Sequence, residues 1–216
     1  MKYWHGLITG AALVTAAGVL IAANGPHTMQ TLDVERINIR EPDGTLRLII
    51  SSKERFPGSF HKGQEIPRPD RRFAAGMLFL NDEGTENGGL IWAGNAVDGQ
   101  ADAGASLTFD RYENDQTLQL LQTDKGTRDT AALVISDRPA TTMFASRNGV
   151  VGIDGKATGG ATRLFVGKSR DRASVVMLQD ENGAPRIKLK VDSNGASMID
   201  FLDAKGTVIK SIRPDN

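Results

Sequence analysis

A cadence near the C-terminus constrains this chain more than any other feature. Gly183, Gly195 and Gly206 recur at spacings of 12 and 11 residues, and each closes a D-x-x-G turn: Asp180-Glu181-Asn182-Gly183, Asp192-Ser193-Asn194-Gly195 and Asp203-Ala204-Lys205-Gly206. An Asp side chain can accept bonds from backbone amides two residues on, and Gly supplies the left-handed position through which a type I turn rejoins its strand by a bulge. Iterated, a unit of about seven strand residues and four turn residues writes an up-and-down antiparallel sheet. Strands are therefore expected at about 161–166, 173–179, 185–191, 197–202 and 207–213, which makes 161–216 the most regular part of the chain. Within it Ile187, Leu189 and Val191 alternate with Arg186, Lys188 and Lys190, the pattern of a sheet with one wet face.

The same device recurs upstream. Residues 33–51 read as a hairpin turning at Glu41-Pro42-Asp43-Gly44, and GMLFLNDEGTENGGLIWAG, from Gly76 to Gly94, reads as another. Leu107 and Phe109 lead to a charged turn, Arg111 to Asp115, and Leu118, Leu120 and Leu121 start the return strand. Thr123 to Gly126 forms a further turn, Ala131 to Ile135 a strand, and Arg147-Asn148-Gly149 a turn between Phe144 and Val150. Two stretches break the rhythm and read as loops: 53–72, with three Pro and six basic residues, and 154–160; 95–104 is a second polar and glycine-rich segment. The predicted fold class is all-β, an antiparallel meander of repeated hairpins with D-x-x-G turns. Because an open meander leaves long edges, a barrel, a sandwich or an oligomeric β-prism would have to resolve them. The sequence does not choose among these; a membrane anchor that aligns subunits leans the expectation towards a homo-oligomer.

Gly6 to Ala23 is eighteen residues without a charge. That length falls between a signal-peptide core of about 7–15 residues and a span of about 20. No good cleavage site follows it, so residues 1–25 are expected to form an uncleaved signal-anchor, a transmembrane helix. Lys2 would lie on the cytoplasmic side, 26–32 would be a linker, and 33–216 a β-rich domain outside the cytoplasm. The alternative is secretion after cleavage.

The 26 basic and 26 acidic residues balance, so no net field draws in nucleic acid. The absence of Cys removes disulfides, thiolate catalysis and zinc-cysteine sites. Beyond the anchor only His27 and His61 could serve a triad, and there is no H-x-x-x-H pair, P-loop or dinucleotide fingerprint. Neither a cofactor nor a metal site is expected. Paired carboxylates for glycoside hydrolysis could come from Asp82, Glu83, Glu86, Asp110, Glu113 and Asp115, but one Trp (Trp92) and one Tyr (Tyr112) are few stacking groups for a sugar. Asn81, Asp82, Glu83, Glu86 and Asn87 invite a calcium reading, yet they match no EF-hand loop and are also what hairpin turns use. The candidate ligand or cation residues are Asp82, Glu83, Glu86, Asn87, Trp92, Asp110 and Asp115. In the 53–72 loop, Arg55, Phe56, Phe60, His61, Arg71 and Arg72 are the candidate contacts to a partner, against the plainer reading of a solvated loop whose Phe residues tuck onto the sheet. A ligand site, if one exists, is expected where that loop meets the Gly76–Gly94 hairpin and the Asp110 to Asp115 turn.

EPDGTLRL (Glu41 to Leu48), AGMLFLNDEGTENGGLI (Ala75 to Ile91), FDRYENDQTLQL (Phe109 to Leu120) and ISDRP (Ile135 to Pro139) together resemble a family of uncharacterised bacterial exported proteins with one N-terminal hydrophobic segment. The resemblance implies a bacterial, envelope-facing protein, placed by its anchor as a single-pass inner-membrane protein with its C-terminal domain in the periplasm. It carries no activity over. The functional expectation is a non-catalytic, membrane-anchored structural or interaction protein that self-associates through its β domain. The alternative is an envelope module that binds a glycan or small ligand, with cation dependence allowed.

Overall fold

The computed structural model describes residues 30–155 and 159–214. The predicted anchor at 6–23 and most of the linker lie outside them, as does the middle of the 154–160 loop. The chain divides at Val34/Glu35, and the fold described is that of the second unit. Among the described residues no helix is long and apolar enough to cross a membrane.

The fold is all-β and antiparallel. Twelve strands form one sheet: β1 (Arg36–Arg40), β2 (Leu46–Ser51), β5 (Ala75–Leu80), β6 (Glu86–Val97), β7 (Gln100–Asp110), β8 (Gln116–Lys125), β9 (Arg128–Ser136), β12 (Thr162–Lys168), β13 (Ser174–Gln179), β14 (Pro185–Val191), β15 (Ser197–Leu202) and β16 (Val208–Ile212). Their order in space is their order in sequence. Among the described residues the sheet is open, because β1 and β16 each pair on one side only.

Turn chemistry sets the registers. The amides of Gly183, Gly195 and Gly206 donate to the carbonyls of Asp180, Asp192 and Asp203 at 2.9, 2.9 and 3.0 Å, and the glycines sit at φ +79°, +87° and +80°. Asp180 Oδ1 accepts the amides of Asn182 and Ala184, and Asp203 Oδ1 those of Lys205 and Thr207. Five of the hairpins at one end of the sheet are followed by a one-residue bulge, at β1–β2, β5–β6, β7–β8, β13–β14 and β15–β16. A bulge flips facing by one residue. That puts Leu46, Glu86 and Gln116 on one face while Leu48, Gly88 and Leu118 look to the other.

Strands run through the polar 95–104 segment and part of the expected 53–72 loop. Residues 95–104 belong to β6 and β7, joined by a two-residue turn, Asp98-Gly99, with both φ values positive. Asp-Gly is a strong hairpin signal, and it was masked by the small, polar residues around it. The 53–72 stretch carries one-turn 3-10 helices at Lys53–Arg55 and Pro69–Arg71. Between them lies a hairpin, β3 (Ser59–His61) and β4 (Gln64–Ile66), turning at Lys62-Gly63. Strands of three residues are too short to show a period of two. A second small hairpin, β10 (Phe144–Arg147) with β11 (Val150–Ile153), interrupts the connection from β9 to β12.

These insertions make the core. Phe60 of β3 packs with Leu46, Ile49, Leu78 and Leu80 of the sheet, and Phe56 packs against that cluster. Ile66 of β4 meets Met143 and Phe144, with Val151 and Ile153 alongside. One face of the sheet is therefore roofed over its N-terminal half, and among the described residues the other face is open.

Candidate functional site: a roofed charge cluster and an open apolar face

The roof is fastened by buried polar groups. Glu86, 6% exposed at the start of β6, receives Arg71 in a two-pronged pair at 2.6 and 2.9 Å and a hydrogen bond from the Ser59 hydroxyl at 2.8 Å. A carboxylate this buried needs such partners. The adjacent Thr85 accepts the amide of Lys62, and the amide of Gly63 donates to the Gly84 carbonyl. Asn114, fully buried, donates from Nδ2 to the carbonyls of Pro139 and Thr141, tying down the second insertion. His61 stacks on Phe144 at 4.4 Å and meets Glu113 at 3.1 Å, which joins the two insertions. Burial pushes the Glu113 carboxyl up, but hydrogen bonds from His61, Thr142 and Lys62 outweigh it and hold it below its ordinary range.

Beneath the roof is a cavity of about 420 Å³ lined by Arg68, Arg71, Glu86, Asp110, Asp115, Gln116, Met143 and Ile153. Asp110 is its unusual member. Its Oδ1 is buried and has no hydrogen-bond partner among the described residues, and its pKa is pushed up to about 8. Burial is the main cause; the negative charges of Glu86 and Asp115 add to it, while Arg71 and Arg138 oppose it. At neutral pH Asp110 is thus a protonated acid, able to donate a hydrogen bond. Arg138 approaches Asp115 at 4.0 Å. With Arg71 paired to Glu86 and Arg68 to Asp70, the cavity is polar but close to neutral.

Of the candidate ligand residues, Glu86, Asp110 and Asp115 meet here; the others go elsewhere. Asp82 pairs with Arg47, Glu83 accepts the Tyr112 hydroxyl at 2.8 Å, and Asn87 occupies the β5–β6 bulge. Trp92 borders a separate, more open groove of about 740 Å³ with Phe73, Ile91 and Leu121. Among the described residues no group of three or more acidic or histidine side chains is arranged to hold a metal ion. In the 53–72 segment Arg55 pairs with Glu35 at 2.7 Å, Arg72 is exposed, Arg71 holds Glu86, and Phe60, 5% exposed, is in the core. Arg68, Gln116 and Met143 were not singled out from sequence, because only the folded insertions bring them to the cavity.

The open face is of another kind. Follow the register across the sheet from Ile37 to Ile50, Met77, Leu90, Leu107 and Leu120. It continues through Leu133, Val166, Val176, Leu189, Ile199 and Ile212, one large apolar residue from each of the twelve strands. The neighbouring row, from Ile39 to Lys210, is apolar except for Gly88 and Lys210. No side chain of the first row is buried, and Leu120 is 48% exposed. The predicted alternation on β14 is present, but Leu189 is 41% exposed while the side chain of Lys190, on the opposite face, is 19% exposed.

Comparison with family models, with curated proteins and with solved structures returns no match for this chain.

Proposed function

We propose that this is a non-catalytic, membrane-anchored structural or interaction protein of the cell envelope that self-associates through its β domain. The observation that carries the reading is the apolar row drawn from all twelve strands. Soluble monomers rarely expose contiguous apolar patches beyond a few hundred Å², and larger ones mark interaction surfaces. The uncharged stretch from Gly6 to Ala23 supports the anchor and the extracytoplasmic placement. The test is the mass of the full chain by light scattering, with bound detergent subtracted. A discrete multiple of 23.2 kDa is expected, and a single-copy mass at micromolar concentration would refute self-association.

The roofed cavity favours a second reading, a module for a small, polar, uncharged ligand such as a short glycan. Its support is a near-neutral cavity of about 420 Å³ containing an unpartnered acid oxygen. Oligosaccharides that raise the melting midpoint of the wild-type chain, but not that of an Asp110→Leu variant, would favour it.

A further inference from the structure

We infer that two copies of this chain pack through their open sheet faces, central strands over central strands, while the sheet edges stay outside the contact. The inference rests on the self-association reading and adds the surface, the partner and the geometry.

Size points to a second copy. Twelve strands about 4.8 Å apart carry the apolar rows roughly 53 Å across the sheet, and two rows cover a strip about 14 Å wide. The strip is then about 700 Å² per copy, close to the roughly 800 Å² that each partner contributes to a stable interface of standard size. Gly6 to Ala23, the long uncharged stretch outside the described residues, would be about 27 Å long as a helix, half the length of the rows. A second copy presents the same rows at the same length.

Charge points the same way. The two rows hold one charge, Lys210, at the far edge, so facing them buries almost no ion. The edges are guarded instead: β1 carries Arg36 and Arg40, and β16 carries Lys210 with Arg213 just beyond it. The charges on both edge strands are basic, which disfavours edge-to-edge growth. Face-to-face sheets about 10 Å apart avoid this, and a two-fold axis lying between them closes the assembly at two copies. Such an axis, along the strands or across them, places β8 and β9 over the β8 and β9 of the other copy. Leu120 and Leu133, opposite one another in these strands, then lie at the centre.

The chain has no Cys, so single-cysteine variants of the full chain report one position each. Leu120→Cys, Gln119→Cys on the roofed face and Ile209→Cys in the edge strand are treated with a short bismaleimide and run on a denaturing gel. Leu120→Cys should give a band at twice 23.2 kDa, and the other two should not. A dimer band from Ile209→Cys, with none from Leu120→Cys, would overturn the face geometry while leaving self-association standing. A single-copy mass for the unsubstituted chain would overturn both: if Leu120→Cys then resists a monofunctional maleimide, the chain's own N-terminal stretch covers the face, and if it reacts freely, the face is bare. As a second check, Leu120→Lys should reduce the mass to one copy with an unchanged far-ultraviolet spectrum. An unaltered dimer would also overturn the proposal.

Discussion

Three side chains under the roof, Arg71, Glu86 and Asp110, govern how the domain responds to substitution and pH. Removing Arg71 leaves Glu86 buried without its cation, and breaking a buried pair in this way costs about 3–5 kcal/mol. Arg71→Ala should lower unfolding stability by that order in denaturant titrations. Glu86→Gln should cost clearly less, since the amide oxygen can still accept from Arg71 and Ser59. Asp110 sets a pH dependence of definite sign. Its folded-state pKa, about 8, lies above the value of about 3.9 that it has when unfolded. Between those values the folded chain holds a proton that the unfolded chain has lost, so stability falls as pH rises, by up to about 1.4 kcal/mol per unit, and levels off above pH 8. Asp110→Asn removes this contribution. The difference in unfolding free energy between variant and wild type should therefore grow in the variant's favour from pH 5 to pH 8; a difference that stays constant over that range would mean Asp110 is ionised in the folded protein.

At the scale of elements, the twelve-stranded sheet is built from local turns, whereas the two insertions depend on contacts across the chain. Asn114 shows the contrast. It sits in the turn between β7 and β8, yet its side chain holds carbonyls 25 and 27 residues away. Asn114→Ala strands those carbonyls, with an expected loss of about 1–3 kcal/mol. Amide exchange should quicken in β10 and β11 while the hairpins from β13 to β16 keep their protection, because each of those is closed by its own Asp and Gly. Equal loss of protection in both regions would mean the roof and the sheet unfold as one unit.

For the whole molecule, burial of the open face between copies makes stability depend on concentration. By mass action the melting midpoint should rise on the order of 2 °C for each tenfold increase in protein, and a midpoint independent of concentration would contradict a folding-linked dimer. The parts that local chemistry controls are legible in the sequence: the all-β class, the D-x-x-G hairpins, and the alternation of Ile187, Leu189 and Val191 with basic residues. Turn dihedrals and two-residue periodicity are properties of a few consecutive residues, and they survive in a single line of text. How those pieces meet became visible only in the folded chain. It showed that 53–72 folds into a hairpin whose Phe60 enters the core, and that Arg71 reaches Glu86 while Arg68 and Met143 line the same cavity. It also showed that, among the described residues, the sheet stays open and one apolar row drawn from all twelve strands faces outward over the whole width. Alternation tells that a strand has two faces; which face is covered depends on contacts between residues far apart in the chain, and no short-range pattern records them.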